Sequence, residues 1–537
     1  MTKLYMNPEK LGEKIKALRS LAESAKTARS SIDTRSEQLH DPMKVVTIDT
    51  GLSSIWTAIE AVNSRADDIE KCKKTIEDLN SNGVTTADSS GGITVEISAD
   101  ANVTSSETLS MWVQGATDAH DLKSLNEKGK LPSGRSYDDL VKSIEANKES
   151  ATYANGLIDT VGPENLTQIP LDVQKHFTVQ DPRGRQEYNY RPGAGGAMAE
   201  LLGSVLATAS QTWGAEKSET VADKIVGSVD EEGEWGKITV LNAMIGGHDT
   251  NGDHVNDLKF GKDFLVSLGD DLEELPWSTI STYSNLSENP MPGREYSAVA
   301  GAKLGDSLGG YSFDPLAGVL DAMGNNPDAA LDFLAPEGSV PDGSRTGGNM
   351  NRMYELSKRG WDKDGFAGFT AAIASASAHR ASDNSTMAAR ADDLSGHAVK
   401  YLVENTEEDL YNDTAKARIG VLLANCAPEV ESVLRQSTAS DGGEHPERIP
   451  AASPDDFNAL VYRVIDNEDA AGTISAGIAQ HARSTANADI GGHAGDRAQQ
   501  IDGINDAYVR GAEGVIHGGL FVSLVGASAV SGENWVT

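Results

Sequence analysis

Apolar positions near the start of the chain recur in alternating steps of four and three residues. Leu11, Ile15, Leu18, Ala22, Ala25 and Ile32 form one series, with Leu21 beside it. Leu52, Ile55, Ile59, Val62, Ala66, Ile69, Ile76 and Leu79 form a second, in which Lys73 is the only polar member. A stripe that narrow is the seam of paired helices. Residues 1–82 are therefore expected to form an antiparallel helical hairpin. Pro42 and the β-prone run Val45-Val46-Thr47-Ile48 are expected to break the chain between its two helices. One hairpin cannot bury both sides of its stripe. The interaction seam formed by Leu52, Ile55, Trp56, Ile59, Val62 and Ile69 is expected to dock on the main body or on another chain.

Residues 83–104 read as a linker. Asn80-Ser81-Asn82-Gly83 ends the second helix and Ser89-Ser90-Gly91-Gly92 follows. Ile93-Thr94-Val95-Glu96-Ile97 alternates apolar and polar positions, which predicts one short strand. Beyond it, residues 105–537 carry the start signals of many modest helices. Ser136 stands three residues before Asp139 in a capping-box arrangement. Pro163, Pro315, Pro327 and Pro454 each occupy a first-turn position, where the missing N–H costs nothing. Apolar runs at Leu201–Leu206, Leu316–Met323, Phe366–Ile373, Ile419–Val430 and Phe457–Val464 supply buried faces. Glycine- and proline-rich stretches near 293–312 and 437–452 are the expected sub-boundaries. The fold class is mainly α, a hairpin followed by a large multi-helix domain, with at most a short β element near 93–97.

Composition narrows the partners. Asp and Glu number 81 against 46 Lys and Arg, a net charge of −35. A surface so acidic repels phosphate backbones, so nucleic acid is not an expected partner. No basic amphipathic stretch offers a grip on anionic lipid. The longest apolar run, Leu520–Val525, is too short to span a bilayer. The two cysteines, Cys72 and Cys426, are too few for a disulfide scaffold and read as small core residues. No signal-peptide pattern opens the chain. The expectation is a cytoplasmic protein, or one secreted without a cleaved signal.

Short patches in the body share a family pattern. They include Tyr153-Ala154, Val161-Gly162-Pro163-Glu164-Asn165-Leu166, Leu206-Ala207-Thr208-Ala209-Ser210, Asp314-Pro315-Leu316, Gly324-Asn325-Asn326-Pro327-Asp328-Ala329-Ala330 and Trp361. From about Tyr153 onward the chain resembles an uncharacterised family of large helical actinobacterial proteins, a domain of unknown function. Such families often sit beside WXG-type proteins of type VII secretion, and the resemblance implies that setting. The hairpin is similar to a WXG-type module. It departs from the pattern at Trp56-Thr57-Ala58, which lacks the glycine and lies within the second helix. The secretion-type spacing of a tyrosine and an acid four residues on occurs at Tyr5–Glu9 and Tyr462–Asp466, away from the end of the hairpin.

The most chemical segment is His248-Asp249-Thr250-Asn251-Gly252-Asp253-His254-Val255-Asn256-Asp257. Oxygen side chains at Asp249, Asn251, Asp253 and Asp257 suit a hard cation such as calcium. Where a calcium loop has glycine at its sixth position and an acid at its twelfth, this chain has His254 and Phe260. A polar turn between two helices is the bland alternative. Gly305-Asp306-Ser307-Leu308-Gly309 matches a nucleophile elbow without the strand that an elbow needs. His481, His493 and His517, near Asp489, Asp496 and Asp502, follow no ligand spacing. No phosphate loop, dinucleotide fingerprint or zinc-protease helix is present, and the end of the chain lacks the cationic cluster of a nuclease toxin.

These readings favour a non-enzymatic structural or interaction protein, a type VII secretion-associated substrate or carrier, that binds a protein partner or itself through the hairpin. No cofactor is expected. The alternative is a metal-dependent enzyme or effector, binding calcium or zinc through the 248–257 loop.

Overall fold

The computed structural model describes residues 2–38, 42–128, 131–180, 187–230, 234–288, 312–339, 349–436, 449–492 and 496–517. Its contacts divide the chain into two compact units. One comprises residues 1–191 and 204–212, the other residues 192–203 and 213–537.

The first unit opens with a strand, β1 (Thr2–Met6), followed by the hairpin helices α1 (Pro8–Glu37) and α2 (Pro42–Ser81). Pro42 is the first residue of α2, and Val45–Ile48 are helical. Pro42 thus stands at the break between the two helices, as expected, but Val45–Ile48 do not extend it, and that part of the expectation is corrected. Proline at the first helical position is a helix start, and a few β-branched residues cost only tenths of a kcal/mol each, roughly, against a 40-residue helix. The strand expected near 93–97 is β2 (Ile93–Ile97), and it pairs antiparallel with β1 from Thr2↔Ile97 to Met6↔Ile93. Its alternation is the physical one, with Ile93, Val95 and Ile97 buried and Thr94 and Glu96 exposed. Ile76 and Leu79 at the end of α2 join these strand residues in one core with Met6, Leu109, Trp112 and Ala116. The expected linker at 83–104 thus lies inside the first unit.

The rest of that unit is α3 (Ser106–Lys128), α4 (Tyr137–Asn147), α5 (Ala151–Val161), α6 (Gln168–His176) and a two-stranded ribbon of β3 (Thr178–Gln180) and β4 (Glu187–Asn189). Ser136 caps α4 through the backbone N–H of Asp139, as its spacing predicts. Pro163 opens a 3-10 turn, Pro163–Asn165, and α6 starts only after it. Helices α3 and α5 cross with their backbones in contact. A Cβ on Gly115 would lie 2.2 Å from the Tyr153 carbonyl, and one on Gly156 2.3 Å from that of Trp112. Beside the crossing, Asp118 is fully buried. It accepts from Arg135 Nη2 at 2.6 Å, Ser143 Oγ at 2.6 Å and the Tyr153 hydroxyl at 2.5 Å. Burial and the Asp118 charge push the Tyr153 phenol far up, so it stays a donor.

Beyond β4 the helices are α7 (Ala194–Ser210), α8 (Ala215–Gly227), α9 (Lys237–Ile245), α10 (Lys262–Glu273), α11 (Trp277–Glu288), α12 (Ala317–Met323), α13 (Pro327–Leu334) and α14 (Asn351–Ser357). They continue with α15 (Lys363–Ser377), α16 (Ser385–Asn405), α17 (Asp413–Asn425), α18 (Ala427–Gln436), α19 (Pro454–Val464), α20 (Glu468–Gly492) and α21 (Arg497–His517). The fold is mainly α. The second unit is organised around α15, every residue of which from Gly365 to Ser377 is buried. Helices α12, α13 and α17 pack on it, and α17 in turn carries α20. Local caps set the ends. Asn326, Asp362, Asn412 and Ser453 each accept from a first-turn N–H, and Ser453 with Asp456 forms a full capping box. The expected sub-boundaries near 293–312 and 437–452, the Gly305–Gly309 motif with Ser307, and Leu520–Val525 lie wholly or mostly outside the described residues. Among the described residues, no helix is long and apolar enough to cross a membrane.

Candidate functional site

The hairpin's inner seam is one residue wide. Ile15 and Ala22 on α1 and Leu52, Ile59 and Ala66 on α2 are buried. The pairing is antiparallel: Arg19 bridges Asp67 at 2.7 Å and also Glu70, while Arg29 Nε donates to the Leu52 carbonyl at 3.0 Å. Of the predicted interaction residues, Leu52 and Ile59 are spent inside this seam. Val62 and Ile69 are half-buried, and Ile69 lines a cavity of about 490 Å³ with Cys72, Ile97, Val103 and Leu109. Ile55 and Trp56 face outward, 36% and 38% exposed. The Arg29 guanidinium lies 5.3 Å from the Trp56 ring centre and shields one face of it. Leu21 and Ile32 on α1 are exposed as well. The two helices together carry twelve Lys and Arg and twelve Asp and Glu, a net charge of zero in a chain of −35.

The other predicted site is a compact loop between α9 and α10. The Asp249 carboxylate accepts the backbone N–H groups of Gly252 (2.8 Å), Asp253 (3.1 Å) and His254 (2.9 Å). Asn251 Oδ1 accepts the N–H of Asp253, and its Nδ2 donates to Asp253 Oδ2 at 3.1 Å. Asp253 Oδ1 accepts from Val255 N at 2.9 Å. Asp257 accepts from both Thr250 N and Thr250 Oγ1, and these bonds hold its carboxyl below the usual range. His254 adopts the left-handed conformation at φ 62°. Each predicted ligand is thus turned onto its own loop. Among the described residues, no group of three or more His, Cys, Asp or Glu side chains is placed to hold a metal ion.

A buried ion pair fastens this loop from below. Arg418 Nη2 donates to Asp321 Oδ1 at 2.6 Å, while its Nε and Nη1 donate to the carbonyls of His254 and Ala367, both at 2.8 Å. Asp321 Oδ2 also accepts from Gly247 N at 2.8 Å and Asn256 Nδ2 at 3.0 Å. Sequence reasoning missed both partners. The signal was there: Asp321 interrupts Val319-Leu320…Ala322-Met323, and Arg418 interrupts Ala417…Ile419. A charge inside an apolar helical run is buried only when paired.

Two cavities flank the fastening. One, of about 460 Å³, is lined by Asn242, Asp249, Asp321, Asp364, Asn412 and Arg418. There burial, Asp362 and Asp321 push the Asp364 carboxyl up. The other, of about 590 Å³, lies on the far side of Gly252–Val255. The remaining candidates do not converge. His248 meets the Met244 carbonyl, His481 stands 3.6 Å from Glu431, and Asp496 caps α21 through the N–H groups of Ala498 and Gln499. His493 lies outside the described residues, and so do the side chains of Asp489 and His517. Cys426 is buried, which pushes its thiol up to about 12 and makes it inert; Cys72 is half-buried, and both are free.

No curated protein and no solved structure matches the chain. A family model does, over residues 1–516, so the match takes in the hairpin as well as the patches from Tyr153 onward. The chain belongs to the family of unknown function DUF6571.

Proposed function

We propose that this is a non-enzymatic interaction protein whose N-terminal hairpin docks a protein partner or a second copy of the chain. The observation that carries the reading is the outer face of α2. Ile55 and Trp56 are exposed on a helix pair of zero net charge, which an acidic protein approaches without net repulsion. Exposed aromatic side chains are common anchors of protein interfaces, and Trp56 with its neighbour Ile55 offers one on the outside of the pair. The similarity of the hairpin to WXG-type modules supports a type VII secretion setting, as a substrate or carrier. Fractionating the native host with and without its type VII secretion ATPase tests that setting. ATPase-dependent appearance in the medium is the expected result, and retention in both strains rules it out.

A second reading assigns the 248–257 loop to calcium. It rests on Asp249, Asn251 and Asp253 sharing one turn, with His254 in the left-handed conformation at the position where a calcium loop has glycine. Titration calorimetry with calcium decides it: heat that disappears in Asp249→Asn supports the loop, and no heat removes it.

A further inference from the structure

The ribbon of β1 and β2 is two strands wide, and a sheet that narrow gains from any further strand. Its inner face packs on α2 and α3. Its edge along β1 is open: among the described residues, no strand pairs with β1 on the side away from β2. Lys3, Leu4 and Tyr5 are consecutive and so point to both faces, yet all three are exposed, Leu4 at 38% and Tyr5 at 57%. Leu4 pairs with Val95 and shares the inner face with Met6. Those two are buried, whereas Leu4 opens onto the cavity of about 490 Å³ beside Ile69 and Ile97.

The edge carries neither a bulge nor a proline between Thr2 and Met6. Its single charge, Lys3, is turned across the ribbon to Glu96 at 2.7 Å. The outward N–H and C=O groups of such an edge are a template for another strand.

The strand that fits is β1 of a second copy. Antiparallel pairing about Leu4 matches the faces of the two ribbons. It sets Lys3 against the second copy's Tyr5 and opposes no like charges. The two Leu4 side chains then lie side by side and cover each other. The far edge of the ribbon does not offer an equivalent site, because Ala87 bridges Ile93 there and Asp88 N donates to the Gly92 carbonyl at 2.7 Å. Pairing of β1 with β1 is two-fold and closes at two copies.

We propose that β1 is a docking strand for β1 of a second copy, giving a four-stranded sheet through a surface separate from the outer face of α2. Two five-residue strands make a small interface, so the dimer is weak and reversible. Each copy carries a net charge of −35, so the copies repel at long range, and salt tightens the dimer by screening that repulsion.

The experiment is analytical ultracentrifugation of the full chain over a range of concentrations, at low and high salt. A monomer–dimer equilibrium that tightens with salt is expected. Leu4→Lys opposes two lysines across the two-fold axis, and Tyr5→Lys sets a lysine against the second copy's Lys3. Each is expected to weaken the dimer about tenfold, with the melting temperature unchanged because both positions are exposed. In a Cys72→Ala background, where the remaining thiol, Cys426, is buried, Leu4→Cys is expected to give a covalent dimer with a short bis-maleimide. Thr94→Cys, on β2 and three strand spacings or about 14 Å from its counterpart, is not. The proposal is overturned if the chain stays monomeric throughout, if Leu4→Cys fails to cross-link, or if Thr94→Cys cross-links as readily. A dimer kept by Leu4→Lys and lost in Ile55→Ser with Trp56→Ser belongs to the hairpin face and overturns it as well.

Discussion

The hairpin and α15 are both long helical segments read from apolar periodicity, and they bury opposite shares of themselves. Along α1 and the facing part of α2 the buried residues, among those described, form a single file of Ile15, Ala22, Leu52, Ile59 and Ala66, and only Ile76 and Leu79 at the end of α2 enter the core with β2 and Trp112. Along α15 every residue from Gly365 to Ser377 is buried, glycines and serines included. Small residues let three neighbouring helices approach α15 closely, so its specificity lies in backbone contact. The hairpin's specificity lies in its seam, and Leu21, Ile32, Ile55 and Trp56 stay exposed outside it. One segment organises a unit; the other presents a face.

Substitutions that break this contrast should rank accordingly. Arg418→Met strands Asp321 in the interior beneath the 248–257 loop and should cost about 3–5 kcal/mol by denaturant unfolding. Gly368→Ala places a Cβ 2.4 Å from the Ala317 carbonyl at the crossing of α12 and α15. Overpacking against a backbone atom should cost about 2–3 kcal/mol. Ile59→Ala in the single-file seam should cost about 2 kcal/mol, near the low end for a buried isoleucine, because its exposed neighbours can relax. Ile55→Ser with Trp56→Ser should change stability by less than about 1 kcal/mol while removing the association of the hairpin. Retained association in that variant, with the fold intact, breaks the comparison from the hairpin side.

The smallest effect is electrostatic. Burial, then Asp223, Asp270 and Glu274, push the Asp271 carboxyl up to about 6. The folded state therefore holds this proton more tightly than the unfolded chain does. That stabilisation is complete below about pH 4, the unfolded value, and is lost as pH rises through about 6. Asp271→Asn should melt higher than the parent at pH 8, and the difference should shrink towards pH 5. A difference independent of pH would place the effect in packing.

Legibility followed the type of interaction. The hairpin, β2 and the capped helix starts at Ser136, Asn326 and Ser453 were readable because each depends on residues close in sequence. Val45–Ile48 were misread because β propensity is weak beside a helix already committed at Pro42. The pairing of β1 with β2 joins residues some ninety apart, and nothing local to Thr2–Met6 announces it. The oxygens of the 248–257 loop were found by their spacing, but their orientation onto the loop's own N–H groups is set by φ angles that spacing does not encode. Asp321 and Arg418 carried a readable signal, a lone charge in an apolar run. Their partnership across 97 positions did not.

The central claim, that the outer face of α2 is a docking surface, is tested most directly by photo-crosslinking in the native host. A photoreactive residue is placed at position 56 and, separately, at the exposed Lys26 of α1. The account predicts one discrete adduct from position 56, either with a single other protein or with a second copy of this chain, and none from position 26. No adduct from position 56 in a folded chain, or the same adducts from both positions, would contradict it.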